Sequence, residues 1–165
     1  IRDSNYTLRQ ASEDDLDWIV SLEQREDYAP FICRWSREVH ARNLPDADML
    51  YLLAVDPRGQ KVAFVILAGL RSAARSIELV RIVVAEPGTG VGKPLLRRVI
   101  NLAFNDLNAV RLWLDVFDDN DRARHVYQSV GFKEEEVLRE AALKSDGRFG
   151  SLVVMSILAG EYQSG

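Results

Sequence analysis

Cysteine is nearly missing from this chain: Cys33 stands alone among 165 residues. That excludes an intramolecular disulfide and fits a reducing compartment. Only two histidines occur, His40 and His125, separated by most of the chain, and no Cys/His cluster suggests a metal site. No apolar run approaches the roughly 20 residues needed to span a bilayer. The opening Ile1-Arg2-Asp3-Ser4 lacks the apolar segment of a signal peptide, so a cytoplasmic location without membrane contact is expected. A basic surplus is missing as well. Lys and Arg number 21 against 25 Asp and Glu, giving a net charge of −4 and a pI near 5.3. That balance argues against a nucleic-acid partner. Repeats, linkers and low-complexity stretches are also absent. What is present is ordinary globular composition, 47% hydrophobic and 28% charged. The length fits one domain, residues 1–165, with a single sizeable core.

Periodicity and turn residues divide the chain into elements. Asn5–Gln10 alternates as a strand, and Ser12, three residues before Asp15, resembles a capping box. Leu16, Ile19, Val20 and Leu22 carry a helical stripe toward residue 26, and a second helix is expected over Trp35–Asn43, stopped by Pro45. Met49–Val55 and Lys61–Leu67 read as a hairpin around the turn Asp56-Pro57-Arg58-Gly59. A strand over 76–85 leads through a glycine turn into a helix over 91–105, striped by Leu95, Leu96, Val99, Leu102 and Ala103. Pro94 is compatible with its first turn only. Val110–Val116 is an alternating strand, and Asn120–Ser129 is a helix ended by Gly131. Phe132–Glu140 and Ser151–Leu158 form two last strands around Ser145-Asp146-Gly147-Arg148. The order β-α-α-β-β-β-α-β-α-β-β predicts a mixed α/β sheet with helices on its faces.

The most informative stretch is Pro87-Gly88-Thr89-Gly90-Val91-Gly92-Lys93. Alternate glycines strip side chains from a strand-to-helix junction, so backbone N–H groups can approach a ligand closely. The helix start directs unpaired N–H groups and its positive dipole end to the same place, and Lys93 adds a cation. Phosphate suits this cradle. The spacing is not that of a Walker loop, because Lys93 is followed by Pro94 rather than by a hydroxyl residue. Nor is Gly88-x-Gly90-x-Gly92 the G-x-G-x-x-G of a dinucleotide fold.

The segment resembles the principal motif of the GNAT superfamily of acetyl-CoA-dependent N-acetyltransferases, a strand followed by Q/R-x-x-G-x-G/A and a helix. Gly90-Val91-Gly92 matches the G-x-G portion, while Pro87 stands where Gln or Arg is usual, which leaves the cradle to backbone amides. A second family motif, Asn-x-x-Ala-x-x-x-Tyr leading into Gly-Phe, stands as Asn120, Ala123, Tyr127 and Gly131-Phe132. Leu8–Leu16 resembles the family's opening strand and helix. Leu138-Arg139-Glu140-Ala141 through Asp146-Gly147-Arg148 resembles the closing hairpin of the branch that includes ribosomal-protein N-terminal acetyltransferases.

The resemblance implies a mostly antiparallel twisted sheet of about seven strands with about four helices, splayed between the fourth and fifth strands. It implies direct transfer of acetyl from acetyl-CoA to a primary amine. Gly88, Thr89, Gly90, Val91, Gly92 and Lys93 would hold the pyrophosphate. The backbone of Ile82, Val83 and Val84 would bond the pantetheine arm and polarise the thioester carbonyl. Tyr127 occupies the place of a general acid for the leaving thiolate, or is an ordinary half-buried helix aromatic. Asn120 is a helix N-cap, a pantetheine contact, or both. Glu78, on the fourth strand, is either the base that deprotonates the amine or a surface charge.

The remaining candidates have simpler readings. Glu86 and His125 read as surface residues, Cys33 as a small buried hydrophobe, and Trp18, Trp35 and Trp113 as core. Trp35 also lies where related proteins contact the acceptor. Glu13, Asp14, Asp15 and Asp17 read as a solvated helix start. The expected partner is a small amine or a peptide N-terminus, with the protein a monomer or homodimer. Three readings of function remain at this point: acetyl transfer, transfer of another acyl group, and a non-catalytic CoA-binding module.

Overall fold

The computed structural model describes residues 6–162. The expected strand start at Asn5 and the segment Ile1–Ser4 lie outside the described residues. The strands are β1 (Thr7–Gln10), β2 (Met49–Val55), β3 (Lys61–Ala68), β4 (Ser76–Val84), β5 (Arg111–Phe117), β6 (Lys133–Leu143) and β7 (Phe149–Leu158). The helices are α1 (Leu16–Glu23), α2 (Arg37–Asn43), α3 (Gly92–Asn101) and α4 (Asp121–Ser129). One seven-stranded sheet runs β1-β2-β3-β4-β5-β7-β6. Every neighbouring pair is antiparallel except β4 and β5, which run parallel. The mixed α/β architecture expected from the sequence is the one observed.

Strand alternation distributes side chains between two helical layers. Leu52, Ala54, Val65, Leu67, Leu112 and Leu114 join Leu95, Leu96 and Val99 of α3 in the larger core. Tyr51, Leu53, Phe64 and Ile66 meet Ile19 and Leu22 of α1 in the smaller one. The β2–β3 turn is held by Asp56, whose Oδ1 accepts the N–H groups of Arg58 and Gln60, both at 2.9 Å. Gly59 takes the left-handed φ of +80° that the turn requires.

Several expectations change. α1 ends at Glu23 rather than residue 26, followed by a short 3-10 turn over Glu26–Tyr28. α2 starts at Arg37 because Ser36 caps it, its Oγ accepting the Val39 N–H at 3.3 Å. The helix expected to reach residue 105 leaves the α-form at Leu102. There the Leu107 N–H bonds the Leu102 carbonyl at 2.9 Å across a wide π-turn, Leu102–Asp106. β6 extends to Leu143, with a register break between Leu138 and Ala142 where Glu140 takes φ +49°.

Burial corrects more. Trp18, Trp35 and Trp113 are half-buried rather than core residues, and Cys33 is half-buried rather than enclosed. Trp18 lies edge-on to Phe64, and the guanidinium of Arg81 sits 4.7 Å from the Trp35 ring centroid. Asp15 is not a solvated helix-start charge. It is 3% exposed and accepts two bonds from Arg9 at 2.9 and 3.0 Å, with Lys61 at 2.9 Å. Those cations hold its carboxyl far below the usual carboxylate range. One residue thereby ties the end of β1 and the start of β3 to the head of α1.

Candidate active site

The splay follows from a short strand pairing. β4 and β5 pair only at Ser76–Arg111, Ile77–Leu112 and Glu78–Trp113, and then diverge. Beyond that point β5 keeps its other neighbour, β7, along its whole length. The inner edge of β4 therefore carries backbone groups with no strand partner. Which groups they are is set by the ladder to β3. The Ala85 N–H donates to the Val62 carbonyl at 2.8 Å. Stepping back two residues at a time, Val83 and Arg81 turn their backbone toward β3, whereas Ile82 and Val84 turn theirs into the gap. Of the three residues expected to bond a pantetheine arm, the strand thus presents Ile82 and Val84. The Val84 carbonyl already accepts the Tyr28 hydroxyl, and the Ala85 carbonyl accepts Arg25.

At the end of β4 the chain turns through Glu86–Val91. Gly88 and Gly90 take φ of +84° and +81°, conformations that side-chain-bearing residues rarely adopt. The Thr89 hydroxyl closes the turn by donating to the Glu86 carbonyl at 2.7 Å. α3 begins without a side-chain cap and without an acidic residue in its first turn, where Lys93 is exposed. Its first helical bond runs from the Leu95 N–H to the Val91 carbonyl at 3.1 Å. Donors with no competing anion are what a pyrophosphate requires, so Gly88–Lys93 fit the group expected there.

Across the gap, Asn120 caps α4, its Oδ1 accepting the Ala123 N–H at 3.3 Å. About two helical turns beyond that cap, Tyr127 packs edge-on to Phe132 with ring centroids 5.7 Å apart. Burial, helped by the negative charge of Asp115, pushes its phenol up to about 12, so the hydroxyl keeps its proton through the neutral range. Glu78 stands at the vertex of the splay, in the last parallel pair. It is half-buried, and no hydrogen bond or ion pair engages its carboxyl among the described residues. Burial first, then Asp115, raise its proton affinity, and Arg81 opposes them. A carboxyl of that kind is a stronger base than an ordinary glutamate.

Two features escaped the sequence reading. Asp115 lies two residues beyond Trp113 on β5, facing away from the larger core that takes Leu114 and Val116. Asp115 reaches the surface, yet partial burial raises the proton affinity of its carboxyl, and Arg81 opposes that shift. Its alternation with Leu114 was a visible signal. The second feature is a buried polar chain. Glu23 Oε1 accepts from His40 Nε2 at 2.6 Å, and His40 Nδ1 meets the Tyr51 hydroxyl at 2.8 Å. Arg81 Nε reaches Glu23 Oε2 at 3.3 Å. His125 and Glu86 are exposed, as expected. Among the described residues no group of three or more His, Cys, Asp or Glu could hold a metal ion, and no helix is long and apolar enough to cross a membrane.

Comparison with known proteins agrees with this geometry. Residues 11–132 match the acetyltransferase (GNAT) family. The spermidine N(1)-acetyltransferase of Vibrio cholerae serotype O1 is 26% identical over 170 residues, covering 96% of each chain. The crystal structure of the Vibrio cholerae spermidine N-acetyltransferase with CoA and spermine superposes with a TM-score of 0.86 at 26% identity, covering 97% of this chain and 99% of that one. A point variant of that enzyme gives a TM-score of 0.85 at 26% identity, covering 98% of both chains. The chain belongs to the acetyltransferase (GNAT) family. It is an N-acetyltransferase that uses acetyl-CoA and acts on a primary amine.

Proposed function

We propose that the acceptor is a small aliphatic polyamine of the spermidine type. The observation that carries this reading is the pair of acceptor-side carboxylates, Glu78 and Asp115, beside the vertex of the splay. They offer negative charge to a cationic amine where the backbone of Ile82 and Val84 would hold a thioester. The similarity to a spermidine acetyltransferase over nearly the whole chain supports it. A peptide N-terminus is the second reading, favoured by the resemblance of the Leu138–Arg148 hairpin to the ribosomal-protein branch. A single cytoplasmic domain, working as a monomer or homodimer, suits either acceptor.

CoA supplies an activated acetyl group as its thioester, with Gly88, Thr89, Gly90, Val91, Gly92 and Lys93 binding the pyrophosphate. The Ile82 and Val84 amides hold the arm and stabilise negative charge developing on the acetyl oxygen. Val83 contributes through packing, because its own backbone bonds β3. Glu78 accepts the proton that the ammonium group must lose before it can attack, directly or through water. Tyr127 then protonates the departing thiolate, and Asn120 fixes the start of the helix that presents it. Thiol release from acetyl-CoA, measured against spermidine, spermine, amino sugars and short peptides, tests the assignment. Turnover with the polyamines is expected; turnover with peptides alone would replace this acceptor by the second reading.

A further inference from the structure

Arg81 has its position because β4 carries one extra residue. Ile66 pairs with Arg81 and Leu67 with Leu79, so Val80 has no partner in β3. Strict alternation after Leu79 would send Arg81 under α3. The bulge instead places it with Val80 and Val83 on the α1–α2 face, the face that also carries Glu78. There each guanidinium nitrogen has a partner. Nε donates to Glu23, Nη1 to the Val80 carbonyl at 3.0 Å and Nη2 to the Cys33 carbonyl, while Trp35 covers its plane. Glu23 is in turn held by His40, and both are fully buried, whereas the Arg81 side chain keeps 14% of its surface exposed.

A buried ionic chain of this kind is weak as a stabilising device, since desolvation offsets much of its attraction. What it does provide is a cation that cannot move. We propose that Arg81, fixed by Glu23, is a positioning residue that sets the electrostatic potential at the acceptor-side carboxylates Glu78 and Asp115. The inference rests on the reading of Glu78 as the base of the reaction.

The groups coupled around this point are few. Arg81 acts on Glu78 from the same strand, Asp115 from β5, and Tyr127 on α4 feels Asp115. Cys33, in the segment joining α1 to α2, feels both Arg81 and Asp115. Arg81 is the cation that offsets desolvation at both carboxyls. Glu23, pairing with Arg81 from α1, partly cancels its field. Neutralising Arg81 and neutralising Glu23 must therefore move Glu78 in opposite directions.

Carboxyl-carbon NMR titration of the intact enzyme reads this directly, with the Glu78 signal identified by its loss in Glu78→Gln. Arg81→Gln is expected to raise the Glu78 midpoint by about one pH unit. Glu23→Gln lowers it by a smaller amount, and Arg81→Lys leaves it near that of the unmodified enzyme. The acid limb of kcat/KM follows in the same order. Midpoints that stay fixed, or that move the same way in Arg81→Gln and Glu23→Gln, overturn the proposal. Should Arg81→Gln fail to fold, the Glu23→Gln and Arg81→Lys midpoints decide it. Full turnover in Glu78→Gln with opposite midpoint shifts would remove the base and keep the electrostatic role. Loss of turnover in Glu78→Gln with fixed midpoints would do the reverse.

Discussion

Beneath α3 and α4 the sheet is covered by Leu95, Leu96, Val99 and Ile100, with Ala123 and Val126 alongside. Beneath α1 and α2 the same sheet buries Glu23 and His40 among a smaller apolar set. The first face needs only volume and apolarity, so many sequences could fill it. The second binds each of its polar groups to a particular partner, and removing one leaves the other desolvated. In the proposed reaction each face serves one of the two substrates. The apolar face sets α3 and α4 rigidly, and these carry the phosphate cradle and Tyr127. In the proposed reaction the polar face stands on the side that takes the amine.

Tyr127→Phe should reduce turnover by about 10²- to 10⁴-fold while CoA affinity stays nearly unchanged, since the hydroxyl acts only as thiolate departs. Steady-state kinetics beside CoA titration separates the two quantities. Glu23→Ala should cost about 3–5 kcal/mol in urea unfolding, because His40 and Arg81 lose their shared acceptor. Leu96→Ala on the opposite face should cost about 3 kcal/mol through a cavity alone, leaving the pH dependence of turnover unchanged.

Gly90→Ala places a side chain at φ +81° and should cost about 1–2 kcal/mol, seen as weaker CoA binding by calorimetry. Gly92→Ala should cost less stability, since a Cβ there would meet Val84 Cγ2 at an ordinary 3.7 Å. The gentlest effect is on pH. A base is active when deprotonated, so turnover rises as pH climbs through the Glu78 midpoint, which burial and Asp115 place above the ordinary value of about 4.3. Asp115→Asn removes one raising charge and should move that rise to lower pH in a kcat/KM profile.

Much of the apolar face was legible from sequence. The apolar runs Met49–Val55 and Lys61–Leu67, bounded by a turn, and the stripe of α3 are signals within single segments. Gly88 and Gly90, the Asn120 cap and Tyr127 were readable because each lies in a short local motif. The polar face was not. Glu23, His40, Tyr51 and Arg81 come from four separate elements, and each alone resembles a surface or ordinary core residue. Arg81 was further concealed by the bulge at Val80, which breaks the period that assigns faces. Trp18 and Trp35 misled for a related reason: a large ring can cover a cation or a phenyl edge while staying partly exposed. Asp115 was visible in alternation, yet its meaning depended on the parallel register that sets Trp113 beside Glu78.

The short β4–β5 seam also bears on how the molecule assembles. On one side of it lies the antiparallel run β1-β2-β3-β4, and on the other the antiparallel group β5-β7-β6. Three residue pairs join them, and the joint is parallel, so the chain must cross over through α3 before it can form. Pairings close in sequence, such as β2 with β3 and β6 with β7, incur less loop-closure entropy than this one. The seam then registers later than those local hairpins. Because the cleft is the seam left partly open, binding competence for CoA arrives with the docking of the two half-sheets. Its appearance during refolding reports that docking.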